Sequence, residues 1–433
     1  MKKISIRYSG PLRGEVVTPP DKSISHRAII FSSLAEGRSV IKNFLNAEDP
    51  LSTLNAFRQM GVDITYGPAG EIIINGRGLK GLSAPEGVID CGNSGTTMRL
   101  LSGVLAGQPF SATLTGDSSL MKRPMQRIIT PLTQMGAAIS SKQGGYPPLT
   151  IKGGELRPIS YESKIASAQV KSAILLAGLY CDGETSVSEP VRSRDHTERM
   201  LSAAGVRIET TAHKVSVRGV ARLRPAEMTV PGDFSSAAFF IVAGLLIPGS
   251  ELIIRNAGIN PTRSGLLRIL EMMGADIRLE NERTVSGELV ADISVRHCSL
   301  AGVPSGIDFG GETFVSAIDE FPILCVAAAK AKGITKITGA HELRVKESDR
   351  IRSMASELRK AGVKAEELDD GIIIEGREDL LPSSGIESYG DHRIAMSMII
   401  AGLTINGETT VTDTDCVNTS FPSFMTILEG LRK

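Results

Sequence analysis

The sequence predicts an α/β protein built of α+β repeats, six in number and divided three and three between two domains. Three observations carry that expectation. A glycine closes an apolar helical stretch at Gly37, Gly107, Gly183, Gly249, Gly333 and Gly407, at spacings of 70, 76, 66, 84 and 74 residues, and self-similarity at a steady period marks a repeat architecture. Each stretch is headed by a polar motif: KSISHR (22–27), GNSGTTMR (92–99), SAQVKS (167–172), GDFSSA (232–237), IDEFP (318–322) and GDHRIAM (390–396). Finally, 433 residues are too many for one ordinary core, and about 100–200 residues per domain gives two or three domains.

Taken in order, residues 1–19 supply ISIRYSG and GEVVTPP, which read as two strands with no helix of their own. Each repeat then offers an apolar helix, a β-rich run, a polar linker and a second helix. The β runs SVIKNFL (39–45), FSATLTG (110–116), SELIIRNA (250–257) and ITKITGA (334–340) alternate β-branched residues, the pattern of half-buried strands. The second helices finish on MGVDI, MGAAI, AGVRI, MGADI and AGVKA, which puts Gly61, Gly136, Gly205, Gly274 and Gly362 at helix ends; there a left-handed backbone favours glycine. The chain stops inside the second helix of the sixth repeat, so the simplest closure has the N-terminus completing that repeat. Proline terminates strands, and prolines stand at both expected crossings, 19–20 and 231. The expectation is a discontinuous domain of residues 1–19 plus 232–433, with residues 20–231 as an inserted domain.

Composition narrows the function. Lysine plus arginine equals aspartate plus glutamate at 48 each, so no global field draws nucleic acid or an acidic membrane, and any anion has to be held by a local cluster. Aromatics are 4% with no tryptophan, which argues against base-stacking platforms and an interfacial aromatic belt. Cys91, Cys181, Cys298, Cys325 and Cys416 are scattered without zinc-ligand spacing, the usage of reduced thiols in a cytosolic protein. MKKISIRYSG has no apolar region behind its lysines, so a secretory signal is not expected. The longest nearly apolar run, Ala237 to Ile247, is short of the ~20 residues that span a bilayer.

The motifs hold the chemistry. In DKSISHR, Ser23 and Arg27 share one face of a helix start, as do Lys22 and His26, and cations beside exposed backbone donors suit a phosphate or carboxylate. The plain alternative is a capped, solvated basic turn. GNSGTTMR offers glycines that let a ligand approach the main chain, ending in Arg99. LMKRP places Lys122 and Arg123 in a loop, SAQVKS heads its helix with Ser167, Gln169 and Lys171, and SRDHTERM adds Arg194 and His196. Asp319 and Glu320 open the fifth apolar helix. LRVKESDRI follows, with Lys346 and Arg350 four apart and Glu347 three from Arg350, expected within about one helical turn; simple surface ion pairing is the competing reading. Asp391, His392 and Arg393 directly precede the sixth helix, where a histidine cation is disfavoured and ligand contact suits the ring.

Together KSISHR, GNSGTTMR, KRP, SAQVKS, SRDHTE, DEFP, RVKESDR and DHRIAM, in this order over essentially the whole chain, resemble the 5-enolpyruvylshikimate-3-phosphate synthase family. The resemblance implies a two-domain enolpyruvyl transferase-like fold with three βαβαββ units per domain and an active site in the cleft between the domains. The implied reaction joins shikimate 3-phosphate to phosphoenolpyruvate and releases phosphate, on the shikimate pathway to chorismate and the aromatic amino acids. It implies a cytoplasmic monomer with no metal and no organic cofactor. Lys22, Ser23, Arg27, Ser167, Gln169, Asp319 and Lys346 would meet shikimate 3-phosphate, with Arg194 a further candidate for its phosphate, since arginine forks suit phosphate oxygens. Lys22, Gly95, Arg123, Gln169, Arg350 and Arg393 would hold phosphoenolpyruvate. Asp319 is the implied base and Glu347 the candidate acid, with Lys22 and His392 assisting.

Two departures stand out. Many members carry a lysine shortly before the terminal FP pair where Thr419 stands here, and a proline where Leu100 follows Arg99. The SAQ, SRDHTE and TSFP forms resemble the divergent bacterial subgroup that is often glyphosate-tolerant. The sister enolpyruvyl transferases acting on UDP-N-acetylglucosamine have the same fold, but they typically carry Lys-Asn where this chain has Lys22-Ser23, and a reactive cysteine in the loop occupied here by SSLMKRP. No cysteine lies between Cys91 and Cys181, and covalent chemistry at that loop needs a thiol. A non-catalytic repeat scaffold binding anionic sugars is the alternative of a different class.

Overall fold

The computed structural model describes residues 2–8, 10–219, 222–311 and 314–432. Its chain divides into two compact units: unit 1 is Met1–Pro19, Pro231–Thr284 and Leu289–Lys433, and unit 2 is Pro20–Val230 with the short stretch Val285–Glu288. Helices come in pairs along the chain: α1 (Lys22–Leu34) and α2 (Glu48–Gln59), α3 (Gly95–Ala106) and α4 (Gln126–Gln134), α5 (Ala168–Gly178) and α6 (His196–Ala203), α7 (Phe234–Leu246) and α8 (Gly265–Met272), α9 (Phe321–Lys330) and α10 (Arg350–Lys360), α11 (His392–Gly402) and α12 (Phe424–Gly430). Among the described residues they go with six sheets, five of four strands and one of three.

The second repeat shows the unit of construction. A short strand, Ile89–Asp90, leads into α3; Ser111–Thr115 follows and lies parallel to it; after α4 the hairpin Ala138–Lys142 and Tyr146–Lys152 completes the sheet antiparallel. This is a βαβαββ unit. The parallel first pair needs a helical crossover, and the closing pair needs only a tight turn.

At the two crossings of the chain the lead strands are exchanged. Glu227–Thr229 pairs parallel with Glu36–Lys42 and so leads the first repeat, whereas Arg13–Val17 pairs parallel with Glu251–Gly258 and leads the fourth. Of the two N-terminal strands expected to complete the sixth repeat, Lys3–Arg7 alone does so, antiparallel to Glu408–Thr412. The second goes elsewhere because its end docks on the head of α7, where the Asp233 amide donates to the Pro19 carbonyl at 2.8 Å.

The six glycines that define the repeat period lie one to five residues beyond their helices and do not cap them, except Gly107, the C-cap of α3. The other five have φ between 75° and 141°, so they turn the chain from helix into strand. The glycines after the second helices follow the expected pattern, Gly61, Gly136, Gly205, Gly274 and Gly362 all having φ between 76° and 110°. Gly103 has a packing reason: a Cβ there would lie 2.2 Å from the Ala173 carbonyl oxygen, so its absence lets α3 lie against α5.

Each unit buries its own apolar core. Unit 2 packs residues such as Ile29, Phe57, Leu101 and Leu175, all at 0% exposure. Unit 1 packs around α7, whose thirteen residues are all buried, and closes over Phe240, Phe421 and Phe424 with ring centroids 5.4–6.0 Å apart, inside the range of favourable aromatic pairs. No helix among the described residues is long and apolar enough to cross a membrane.

Candidate active site

The polar motifs are first of all helix caps. Asp21 accepts from the Ile24 amide at 2.8 Å, Ser94 from Thr97 at 3.1 Å, Ser167 from Val170 at 3.5 Å, Asp233 from Ser235 at 2.7 Å and Asp391 from Arg393 at 2.9 Å. Each satisfies an amide that the first turn leaves unpaired. The fifth repeat differs: a 3-10 turn, Val315–Glu320, runs into α9, which has Pro322 in its first turn and no side-chain cap.

In unit 2, Lys22 opens α1 half-buried and reaches Asp49, near the start of α2, at 2.9 Å. Ser23 is its half-buried neighbour, and the Ser23 carbonyl accepts from Arg27 Nη1 at 3.0 Å. Arg27 is buried, donating from Nε to Thr197 at 2.7 Å and from Nη2 to Ser172 at 2.8 Å. Burial, and then the nearby Arg194 cation, push its pKa down to about 10. Arg194 is half-buried in the loop before α6. His26, which the sequence placed with Lys22 on an anion-facing surface, is fully buried instead, its Nδ1 2.7 Å from Thr53 Oγ1. Burial, reinforced by Lys22 and Arg27, holds it well below the ordinary histidine pKa, so this ring is neutral packing.

The heads of α3 and α5 meet through Gln169, whose Oε1 accepts from Arg99 at 2.6 Å while its Nε2 donates to Thr96 at 2.8 Å. Gly95 keeps this corner open, because a Cβ would fall 2.9 Å from Arg99 Nη1 and 3.5 Å from Arg123 Nη1. Arg123 is buried, donating from Nη2 to Asn93 at 2.7 Å. Lys171 is 1% exposed and pairs with Glu189 at 3.1 Å and Glu198 at 2.8 Å. Glu189 also accepts from the Ser167 amide at 2.8 Å and from Ser193 Oγ at 2.7 Å, tying the head of α5 to the loop that carries Arg194. Leu100, at 0% exposure, is a core residue in the second turn of α3.

In unit 1, the expected helical turn through Lys346, Glu347 and Arg350 is absent. Lys346 follows a 3-10 turn, His341–Val345, and the helix starts only at Arg350, capped by Asp349 accepting from the Arg352 amide at 3.1 Å. The extended Lys346 backbone and the Asp349 cap end any helix before this point. Glu347 still reaches Arg350 Nη2 at 2.7 Å. Arg350 is buried and donates from Nε to Asp391 at 2.8 Å, with Nη1 3.8 Å from Asp319 Oδ1. Burial opposes its charge, but Asp391 and Glu347 outweigh it and its pKa is raised. Arg393 donates from Nη1 to the Asp319 carbonyl at 2.8 Å and to Ser235 at 2.9 Å. His392, the first residue of α11, is buried. Thr419, where a lysine is frequent, donates to the Cys416 carbonyl at 2.8 Å and brings no charge.

Four residues without an assigned part in the sequence reading belong here: Asp49, Arg99, Ser235 and Arg263. Arg99 closed a quoted motif, and Asp49 sits in an acidic helix start. Arg263 follows an Asn-Pro pair, a turn signal that hides a buried cation. It is 4% exposed, with Nη1 3.3 Å from Asp319 Oδ2 and 3.2 Å from Glu320 Oε1. Unit 2 thus gathers cations beside hydroxyls and helix heads, a setting for phosphate, and unit 1 gathers arginines around carboxylates, a setting for proton transfer beside an anion.

Residues 6–428 match the family model for EPSP synthase (3-phosphoshikimate 1-carboxyvinyltransferase). The chain is 53% identical over 433 residues to the 3-phosphoshikimate 1-carboxyvinyltransferase of Citrifermentans bemidjiense, covering 100% of this chain and 99% of that one, and 54% identical over 431 residues to that of Geotalea uraniireducens, covering 99% of each. A solved EPSP synthase from Acinetobacter baumannii superposes with a TM-score of 0.88 at 48% identity, over 100% of this chain and 98% of that one. The enolpyruvyl transferase NikO from Streptomyces tendae gives 0.76 at 18% identity over 99% and 96%, a likeness of fold. The fold is therefore that of the enolpyruvyl transferases. With the family pattern running almost from end to end and relatives more than half identical over their whole length, the chain belongs to the EPSP synthase (3-phosphoshikimate 1-carboxyvinyltransferase) family.

Proposed function

We propose how the residues above divide the work that the chain performs as an EPSP synthase of the shikimate pathway, the transfer of a carboxyvinyl group from phosphoenolpyruvate to the 5-hydroxyl of shikimate 3-phosphate. Arg27, Ser23, Ser167, Gln169 and Arg194 hold shikimate 3-phosphate, with Lys346 on its hydroxyls. The observation that carries this reading is Arg27. It is buried beside Arg194, its hydrogen bonds go to two hydroxyls and a carbonyl, and its charge is disfavoured. A phosphate dianion placed there relieves both cations.

Lys22, Gly95, Arg123, Gln169, Arg350 and Arg393 hold phosphoenolpyruvate, whose phosphate and carboxylate need several cations together. Asp319 takes the proton of the 5-hydroxyl as its oxygen bonds to C2 of phosphoenolpyruvate, and Glu347 delivers a proton to C3. The tetrahedral intermediate stays unbound to the protein. It then returns a C3 proton to the Glu347 carboxylate and expels phosphate, with Lys22 and the arginines taking up the charge on the leaving oxygen, His392 assisting, and the proton held by Asp319 passing to phosphate or solvent. We also place the enzyme in the cytoplasm as a monomer, for which light scattering at working concentration is the measurement.

The direct test is phosphate release from phosphoenolpyruvate in the presence of shikimate 3-phosphate. Arg27→Ala should raise KM for shikimate 3-phosphate by about tenfold or more, the value of one charged hydrogen bond, with little change in KM for phosphoenolpyruvate. An unchanged KM for shikimate 3-phosphate removes Arg27 from its site.

A further inference from the structure

Asp319 sits in a clamp to which the roles proposed above assign no part. Arg263, from the turn before α8, points one nitrogen, Nη1, at two adjacent carboxylates, Asp319 Oδ2 at 3.3 Å and Glu320 Oε1 at 3.2 Å. Its other terminal nitrogen, Nη2, donates to Ser235 Oγ and lies 3.5 Å from Asp233 Oδ1. Ser235 in turn donates to Glu320 and accepts from Arg393. Arg263, Glu320 and Ser235 are each 5% exposed or less, and Glu320 Oε2 is buried without a hydrogen-bond partner among the described residues. Burial raises the pKa of Glu320 against the opposing pull of Arg263 and Arg393.

A buried ion network of this kind is a weak source of stability, because desolvation offsets most of its Coulomb gain. Geometry gives it another use. Asp319 lies near the end of a 3-10 turn, whereas Asp21 and Asp391 are the capping residues of α1 and α11. Arg263 meets one of its oxygens from the α8 side, while Arg350 lies 3.8 Å from the other.

We propose that Arg263 is a positioning residue for carboxyvinyl transfer: anchored by Glu320 and Ser235, it holds the Asp319 carboxylate in one orientation and in its ionised form. The inference rests on Asp319 being the base. The charged groups facing Asp319 include Arg263 from the turn before α8, Glu320 beside it in the chain, Arg350 at the head of α10 and Arg393 at the head of α11; Asp233, Glu347 and Asp391 face those arginines in turn. A cation next to a carboxylate favours the ionised form, so removing Arg263 makes the base easier to protonate.

The experiment is the pH profile of kcat/KM for wild type, Arg263→Gln, Arg263→Lys and Asp319→Asn, each scaled to the folded fraction measured by circular dichroism. Arg263→Gln should move the acid limb to higher pH by about one unit. Arg263→Lys, which keeps the charge and is the variant safer for folding, should leave the limb within a few tenths of a unit and lower kcat about tenfold through lost orientation. A glutamine variant whose acid limb coincides with wild type overturns the proposal, as does a lysine variant with wild-type kcat. Asp319→Asn separates the two readings: if it retains full turnover, the base assignment itself fails, whereas loss of turnover in Asp319→Asn beside an unmoved limb in Arg263→Gln leaves the base standing and removes only Arg263.

Discussion

At the residue scale, the carboxylates of unit 1 differ in what holds them, and their proposed duties follow from that. Asp319 Oδ2 is met by Arg263 and Oδ1 faces Arg350, whereas Glu347 is half-buried on a segment outside any helix and has Arg350 at 2.7 Å. A carboxylate held from both sides suits proton abstraction, and a less enclosed one can exchange protons with solvent between turnovers. Asp319→Ala and Glu347→Ala should therefore keep shikimate 3-phosphate binding but lose turnover by about 10²–10⁴, read by calorimetry alongside steady-state rates; full activity in either variant removes that residue from its role. The sequence displayed both carboxylates but could not show their surroundings. Lys346, Glu347 and Arg350 read as one helical turn because their spacing is helical, yet Asp349 caps a helix that begins after them. His26 read as a ligand because it shares a face with Lys22, and only the packing of Thr53 on α2 shows that the ring faces inward.

At the element scale, the helix heads were legible because capping needs particular residue types at particular places. Asp21, Ser94, Ser167, Asp233 and Asp391 each satisfy an amide in the first turn, and the glycines after the second helices need positive φ. The exchange of lead strands was not legible, since Arg13–Val17 and Glu227–Thr229 are short and their partners lie far away in sequence. Nor was the duty of Lys171, which stands in a quoted motif but serves an element other than its own helix. With Glu189 and Glu198 it joins the head of α5 to the loop 189–195. Lys171→Met leaves two buried carboxylates without their cation, which costs about 3–5 kcal/mol, and frees the loop that carries Arg194. Thermal denaturation should show that loss, and calorimetry should show weaker binding of shikimate 3-phosphate. Adding Glu198→Gln should recover part of the stability; a single variant as stable as wild type excludes the role.

At the scale of the whole molecule, the chain visits unit 1, fills unit 2 and returns, so unit 1 is closed by pairing Lys3–Arg7 with Glu408–Thr412 across nearly the full sequence. Contacts between such distant residues form late, because the entropy of closing the loop precedes their reward. Unit 2 is almost entirely one continuous segment, and its core contains no residue of unit 1. Separate cores and unequal contact order argue for separable cooperative units. The absence of tryptophan makes this measurable: Tyr66→Trp on the exposed face of unit 2 and Ile334→Trp on that of unit 1 report each unit by fluorescence. Phe57 is fully buried in the core of unit 2, and Phe57→Ala should cost about 3–5 kcal/mol there. In denaturant titrations the transition reported by the unit 2 probe should lose that much stability, while the midpoint reported by the unit 1 probe stays where it was. If both midpoints fall together, the two cores unfold as a single cooperative block, and the division seen in the contacts has no thermodynamic counterpart.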